Sequence, residues 1–213
     1  MNWNLTDKKI AVVYPTSLFI TSGQKTEGQA DNAGGSFTAE DDSSNDVKGG
    51  KFVADNASVT FTATPNTGYT FDGWYTNEAC TEGKTTTNPM TVSSITTGKT
   101  VYAKFVPKTY TVTLTLTGDG YGSGGDASAT ATFNAALPSA TMPTAAQGYA
   151  LYGYYTDHNG EGTKVINADG TWIASVTGYT DGSKKWVHDG DVTLYAYYKK
   201  EFLPVTELSK ILG

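Results

Sequence analysis

The chain has 213 residues, of which 38% are hydrophobic and 17% charged, with a formal net charge of −6. That is enough apolar content for a core, and the share that charge leaves goes to Thr, Ser, Gly and Asn, which favours sheets and turns over helices. All 15 basic residues are Lys, so the guanidinium forks that grip phosphates and base edges are missing, and nucleic acid is not an expected partner. A single cysteine, Cys80, excludes an internal disulfide and a cysteine metal cage, and reads as a small packed side chain.

In chain order, the opening Met1-Asn2-Trp3-Asn4-Leu5-Thr6-Asp7-Lys8-Lys9-Ile10 lacks the basic stretch and apolar run of an export signal. The apolar run Ile10 to Tyr14 stops at Pro15, short of a membrane span. Lys9–Tyr14 and Ser17–Thr21 read as short strands. Ser58–Thr64 and Tyr110–Thr117 alternate strictly, placing Val59, Phe61 and Ala63, then Val112, Leu114 and Leu116, on one face of half-buried strands. Threonine on the opposite face suits a pleated surface, because its branched β-carbon is already restricted and its hydroxyl stays in water. Turn-rich stretches at 65–68, 97–99, 143–148 and 159–162 separate the strands. No helical stripe appears before the last dozen residues.

The chain also repeats itself. Gly68-Tyr69-Thr70-Phe71-Asp72-Gly73-Trp74-Tyr75-Thr76 matches Gly148-Tyr149-Ala150-Leu151-Tyr152-Gly153-Tyr154-Tyr155-Thr156 at an offset of 80. Thr100–Phe105 matches Thr193–Tyr198 at an offset of 93, so the second copy holds 13 extra residues, placed between Asn167 and Asp191. These landmarks divide the chain into an N-terminal β segment 1–33, a candidate anchor, a first module 34–107, a second module 108–199 and a docking tail 200–213, with one or both ends expected to hold the chain to a larger assembly.

The frame G-Y-x-Φ-x-G-aromatic-Y-T resembles the Listeria–Bacteroides repeat, the InlB B-repeat family. The second copy follows that family along most of its length, from the strand Tyr110–Thr117 to the closing Asp191–Tyr198; the first resembles its divergent branch. Tyr154 and Tyr198 stand where the family usually has Trp. The resemblance implies an all-β chain of two tandem, small β-grasp-like sheet modules. It further implies spacer or adhesive units in series on bacterial surface proteins, without catalysis, cofactor or metal.

Other motifs yield to local context. Gly120–Gly125 satisfies G-x-G-x-x-G, but Ala127–Phe133 alternates as a strand where a dinucleotide loop requires a helix. Asp157–Thr163 places oxygen ligands at calcium-loop spacing, yet Ala168 stands where a bidentate Glu is required, so the segment reads as a turn. His158 and His188 lie in predicted loops with no nucleophile paired to either. The carboxylates at Glu40-Asp41-Asp42, Asp189 and Asp191 read as solvated. Trp74, Tyr75, Tyr154 and Tyr155 are the candidate ligand or partner contacts, with core packing the default for the aromatics. Alternation sends Trp74 and Tyr75 to opposite faces unless the strand bulges at Gly73.

The tail places Leu208, Ile211 and Leu212 on one side of a short helical stretch that must dock to persist. Together these features predict a non-enzymatic display protein in contact with other protein subunits of an assembly, and with glycans as a further partner class. A surface-type module beginning at a Met without an export signal points to a phage virion surface, as a decoration or head-fibre-type protein. The alternatives are a piece of a bacterial cell-surface adhesin or spacer, and a carbohydrate-binding module.

Overall fold

The structure is a computed structural model, and it describes residues 18–116 and 121–201. Among these the chain is all-β, with fourteen strands and one 3-10 turn at His158–Gly160. No helix among them is long and apolar enough to cross a membrane. Described residues 18–66 and 70–106 form one compact unit, and 67–69 with 107–116 and 121–201 form another.

The first unit contains β1 (Leu18–Thr26), β2 (Gly35–Asp41), β3 (Lys51–Val53), β4 (Val59–Pro65), β5 (Tyr69–Tyr75), β6 (Met90–Val92) and β7 (Lys99–Pro107). They make two sheets, in the orders β3-β1-β7-β5 and β2-β4-β6. The alternating residues of β4 point inward as predicted: Val59 and Phe61 are wholly buried and Ala63 nearly so. They meet Phe37, Trp74, Ile95 and Phe105 in one apolar cluster.

β1 corrects the sequence division. It falls inside the segment 1–33 that the repeat landmarks set apart, yet it runs parallel to β7 from Ile20 opposite Lys99 to Thr26 opposite Phe105. Leu18–Thr26 is therefore an inner strand of the first module's own sheet. Parallel partners are joined by a long connection, so the pairing leaves no mark near residue 20. The predicted strand Lys9–Tyr14 lies outside the described residues.

The second unit contains β8 (Thr109–Thr115), β9 (Gly122–Ser123), β10 (Ser128–Thr132), β11 (Thr144–Ala145), β12 (Tyr149–Tyr155), β13 (Lys164–Asn167) and β14 (Val192–Lys200). Its main sheet has the order β10-β8-β14-β12-β13, with β9 and β11 as a separate short pair. β8 runs parallel to β14, Val112 opposite Val192, as β1 does to β7. The repeat seen in the residues is thus a repeat of topology. Within the glycine run Gly122–Ser123 form β9, and the chain goes on after Gly125 to β10, a strand where nucleotide binding needs a helix.

The extra residues between Asn167 and Asp191 fold as a lobe that adds to the core. Trp172, Val176, Thr180 and Trp186 are 3%, 5%, 3% and 0% exposed. Thr180 holds the lobe together: its hydroxyl donates to the Ile173 carbonyl at 2.6 Å and accepts from the Val176 N–H at 3.1 Å. The indole of Trp172 donates to the Pro138 carbonyl at 2.7 Å.

Candidate functional site

The repeated motif is a bulged strand. In β12 the register against β14 slips between Leu151 and Gly153, and Gly153 takes φ +119°, a backbone conformation open to glycine and strained for other residues. The slip resets the alternation. Leu151 and Tyr154, three apart, both join the core, whereas Tyr152 and Tyr155 touch Tyr197 of β14. The first unit keeps the same phase: Phe71 and Trp74 pack on one another at 5.1 Å between ring centroids, and Asp72 turns outward to Lys84 at 2.7 Å.

This phase decides the four candidate contact residues. Trp74 is 1% exposed, Tyr75 6% and Tyr154 0%. All three are buried, Trp74 and Tyr154 in the core clusters and Tyr75 beside Asp72 and Lys84, so the contact role weighed for them gives way to packing. The bulge turns Trp74 and Tyr154 inward, and the Tyr75 hydroxyl is held by the Asp72 carboxylate. The Trp74 indole also donates to the Thr87 carbonyl at 3.1 Å. Tyr155 is half-buried and borders the outward face. Leu208, Ile211 and Leu212 lie outside the described residues.

Around Tyr155 the structure gathers aromatics that the motif alone did not bring together. Tyr195 and Tyr197 project outward from β14 because Leu194, Ala196 and Tyr198 alternate with them toward the core. The ring of His158 lies 3.9 Å from that of Tyr195. The turn 157–162 closes over Tyr197, and a methyl group on Gly160 would strike that ring. The Asp157 carboxylate accepts from the His158 N–H at 2.7 Å, which spends it on its own turn. The signal in the sequence was the closing strand itself: where the first copy reads Tyr-Ala-Lys-Phe from Tyr102, the second reads Tyr-Ala-Tyr-Tyr from Tyr195.

The remaining polar groups hold structure. His188 stacks on Tyr179 at 5.0 Å, with its Nδ1 3.1 Å from the Gly178 carbonyl oxygen. Asp189 accepts from the Tyr110 hydroxyl and from Lys108. Those bonds hold its carboxyl below the usual range, and burial followed by that carboxylate pushes the Tyr110 phenol up. Cys80 is a free, buried thiol whose burial raises its pKa. No group of three or more His, Cys, Asp or Glu among the described residues is placed to hold a metal ion. A shallow hollow of about 710 Å³ in the first unit is lined by Gln24, Asp31, Asn32, Ser36, Lys48 and Asn66. It offers hydrogen-bonding groups and no nucleophile paired with a base.

Residues 28–109 match the model of the divergent InlB B-repeat domain. The match begins two residues after β1, so the matched stretch takes an inner strand of its sheet from residues that precede it. The domain suggests a surface or repeat-type protein. A search of the curated proteins finds none that matches the chain.

Proposed function

We propose that the chain is a non-enzymatic display protein in which two small β-grasp-like modules in series project from a larger assembly, and that this assembly is a phage virion. The observation that carries display is the duplication of one sheet plan within one chain. Ile20 and Val112 hold equivalent places on strands parallel to β7 and β14, and each unit commits its largest aromatics to its own interior. A module built this way spends its side chains on being rigid and repeated, which suits spacing and presentation. The mixed sheet with parallel strands at its centre supports the β-grasp-like reading. In the first unit the sheet β2-β4-β6 shares the core that such a sheet must cover on one face.

The partners in this reading are other protein subunits of the particle, with the tail 200–213 as the docking element. Purified, density-banded virions and host envelope fractions, probed by mass spectrometry and by immunogold labelling of intact particles, test it. Label on intact capsids is the expected result. Recovery in the bacterial envelope fraction alone overturns the virion assignment and leaves the cell-surface adhesin or spacer.

A further inference from the structure

The outward face of the second unit's main sheet differs in kind from that of the first, although the strands correspond. The parallel ladders place Thr100 opposite Thr21 and Thr193 opposite Thr113. Counting from there, Lys104 stands where the second unit has Tyr197, and the motif equates Asp72 with Tyr152. In the first unit these places belong to ion pairs: Lys104 meets Glu27 at 2.8 Å and Asp72 meets Lys84 at 2.7 Å. In the second they carry rings. Tyr152 is 41% exposed, and Tyr197 lies 6.1 Å from it and 5.6 Å from Tyr155. The Lys199 ammonium sits over Tyr152 at 4.4 Å and reaches to 5.7 Å from the Tyr197 ring.

The fold does not ask for these rings, because the first unit builds the same sheet with Asp and Lys in their place. With Tyr152 exposed and Tyr155, Tyr195 and Tyr197 half-buried beside it, the cluster marks a contact surface. Their setting names the contact. The other outward positions of β8, β10 and β14 are Thr111, Thr113, Ser128, Thr130 and Thr193, hydroxyl side chains with no aliphatic one among them. Tyrosines are enriched at the cores of protein interfaces as well, but lysines are depleted there, so it is the lysines beside the rings that weigh against a protein occupant. Stacking on tyrosine rings beside hydroxyls suits the apolar ring faces and hydroxyl edges of sugars, since a tyrosine offers a flat apolar body and a polar tip.

Charge narrows the class. Lys164 stands opposite Tyr155 in the ladder, so the rings are flanked by Lys164 and Lys199. Of the nearby carboxylates among the described residues, Asp157 is turned to its own backbone, Glu161 stands exposed in the turn beside Tyr197, and Asp191, at the far end of the sheet, accepts from the Thr111 N–H at 2.7 Å, so the two lysines face one free carboxylate. In a chain of net charge −6, a ring-bearing face flanked by lysines complements an anion. We propose that this face, formed by Tyr152, Tyr155, Tyr195 and Tyr197 with Lys164 and Lys199, binds an acidic polysaccharide chain, the sugar rings lying on the tyrosines and the carboxylate or sulfate groups meeting the lysines. This site goes beyond the display reading and does not depend on which particle carries the protein.

Native electrophoresis of the full chain through gels holding hyaluronate or polygalacturonate, with dextran as the neutral arm, tests the site. The acidic polymers are expected to retard the protein and dextran to leave it unretarded. The double variant Tyr152→Asp, Tyr197→Lys borrows the side-chain types that the first unit carries at those places, and is expected to lose at least about ten-fold in affinity while melting as the parent does. If it melts early, Tyr152→Ser and Tyr197→Ser, each removing one outward ring, replace it in the comparison. Lys199→Gln is expected to weaken retardation, as is added salt, which screens exposed charges. No retardation by either acidic polymer, equal retardation by dextran, or unchanged retardation of the folded ring variants overturns the proposal. So does self-association of the parent that the ring variants abolish while polysaccharide has no effect, which would make the face a contact between copies of the chain.

Discussion

Ile20 and Val112 stand at one point of two copies of the same sheet: both are fully buried, Ile20 opposite Lys99 and Val112 opposite Val192 on a parallel neighbour. Lys99 and Val192 differ by the offset of 93 that relates the two closing strands. Ile20→Ala is therefore expected to destabilise the first unit by about 2–5 kcal/mol, the usual cost of emptying such a site. Urea unfolding followed by the fluorescence of Trp74, with Trp3, Trp172 and Trp186 replaced by Phe, measures it. A chain begun at residue 34 is expected to lose the first unit's fold altogether, because β3 and β7 then lack the strand between them.

Gly153 is the hinge of the bulge. An added methyl would meet the Ile166 carbonyl oxygen, and the backbone holds φ +119°. Gly153→Ala is expected to cost about 1–3 kcal/mol from the backbone conformation alone, with the collision adding to it. Thermal melting compares it with Gly148→Ala, which also holds positive φ but has no atom within 4 Å of the added carbon. Equal losses in the two variants would show that the close approach at Gly153 contributes nothing.

Asn88 continues a β-ladder with its side chain. Its Oδ1 accepts from the Ala63 N–H at 2.9 Å and its Nδ2 donates to the Ala63 carbonyl at 2.8 Å, just past the β6 residues that pair with β4. Asn88→Ala is expected to cost about 1–3 kcal/mol by leaving both backbone groups without this partner. Asn88→Asp keeps the acceptor and loses the donor, so at neutral pH it is expected to destabilise as well and to recover partly on acidification. Denaturant titration at pH 7 and pH 4 distinguishes the two.

Asp72 makes the first unit acid-sensitive. Burial pushes its carboxyl up, but the hydrogen bonds from Lys84 and Tyr75, with the charges of Lys84 and Lys104, outweigh that and leave it below its ordinary value of 3.8. A carboxyl lowered by folding takes up protons more readily in the unfolded chain, so its contribution is present above the ordinary value and is lost as pH falls through the lowered one. The melting temperature of Asp72→Asn is expected to lie below that of the parent at pH 7, and the gap to close toward pH 2. A gap independent of pH would remove the carboxylate from the explanation.

Local chemistry by itself determined the strands and the repeat. Alternation located β4 and β8 within a residue or two, since a half-buried strand must alternate. Alternation left a bulge at Gly73 only as the exception, whereas in β12 the slip at the matching Gly153 is what lets Leu151 and Tyr154 both reach the core. Of the four candidate contact residues, Tyr155 borders the outward array; Trp74 and Tyr154 entered the core because in and out depend on register, and Tyr75 is buried beside Asp72 and Lys84 outside the core cluster. Tertiary structure alone decided that Leu18–Thr26 belongs to the first sheet, that Trp172 and Trp186 of the extra segment complete the second core, and that Tyr152, Tyr195 and Tyr197 share an open face. Each depends on residues distant in sequence meeting through a sheet or a core, where hydrogen-bond partners and buried neighbours are chosen by the folded whole and leave no periodic trace in the chain.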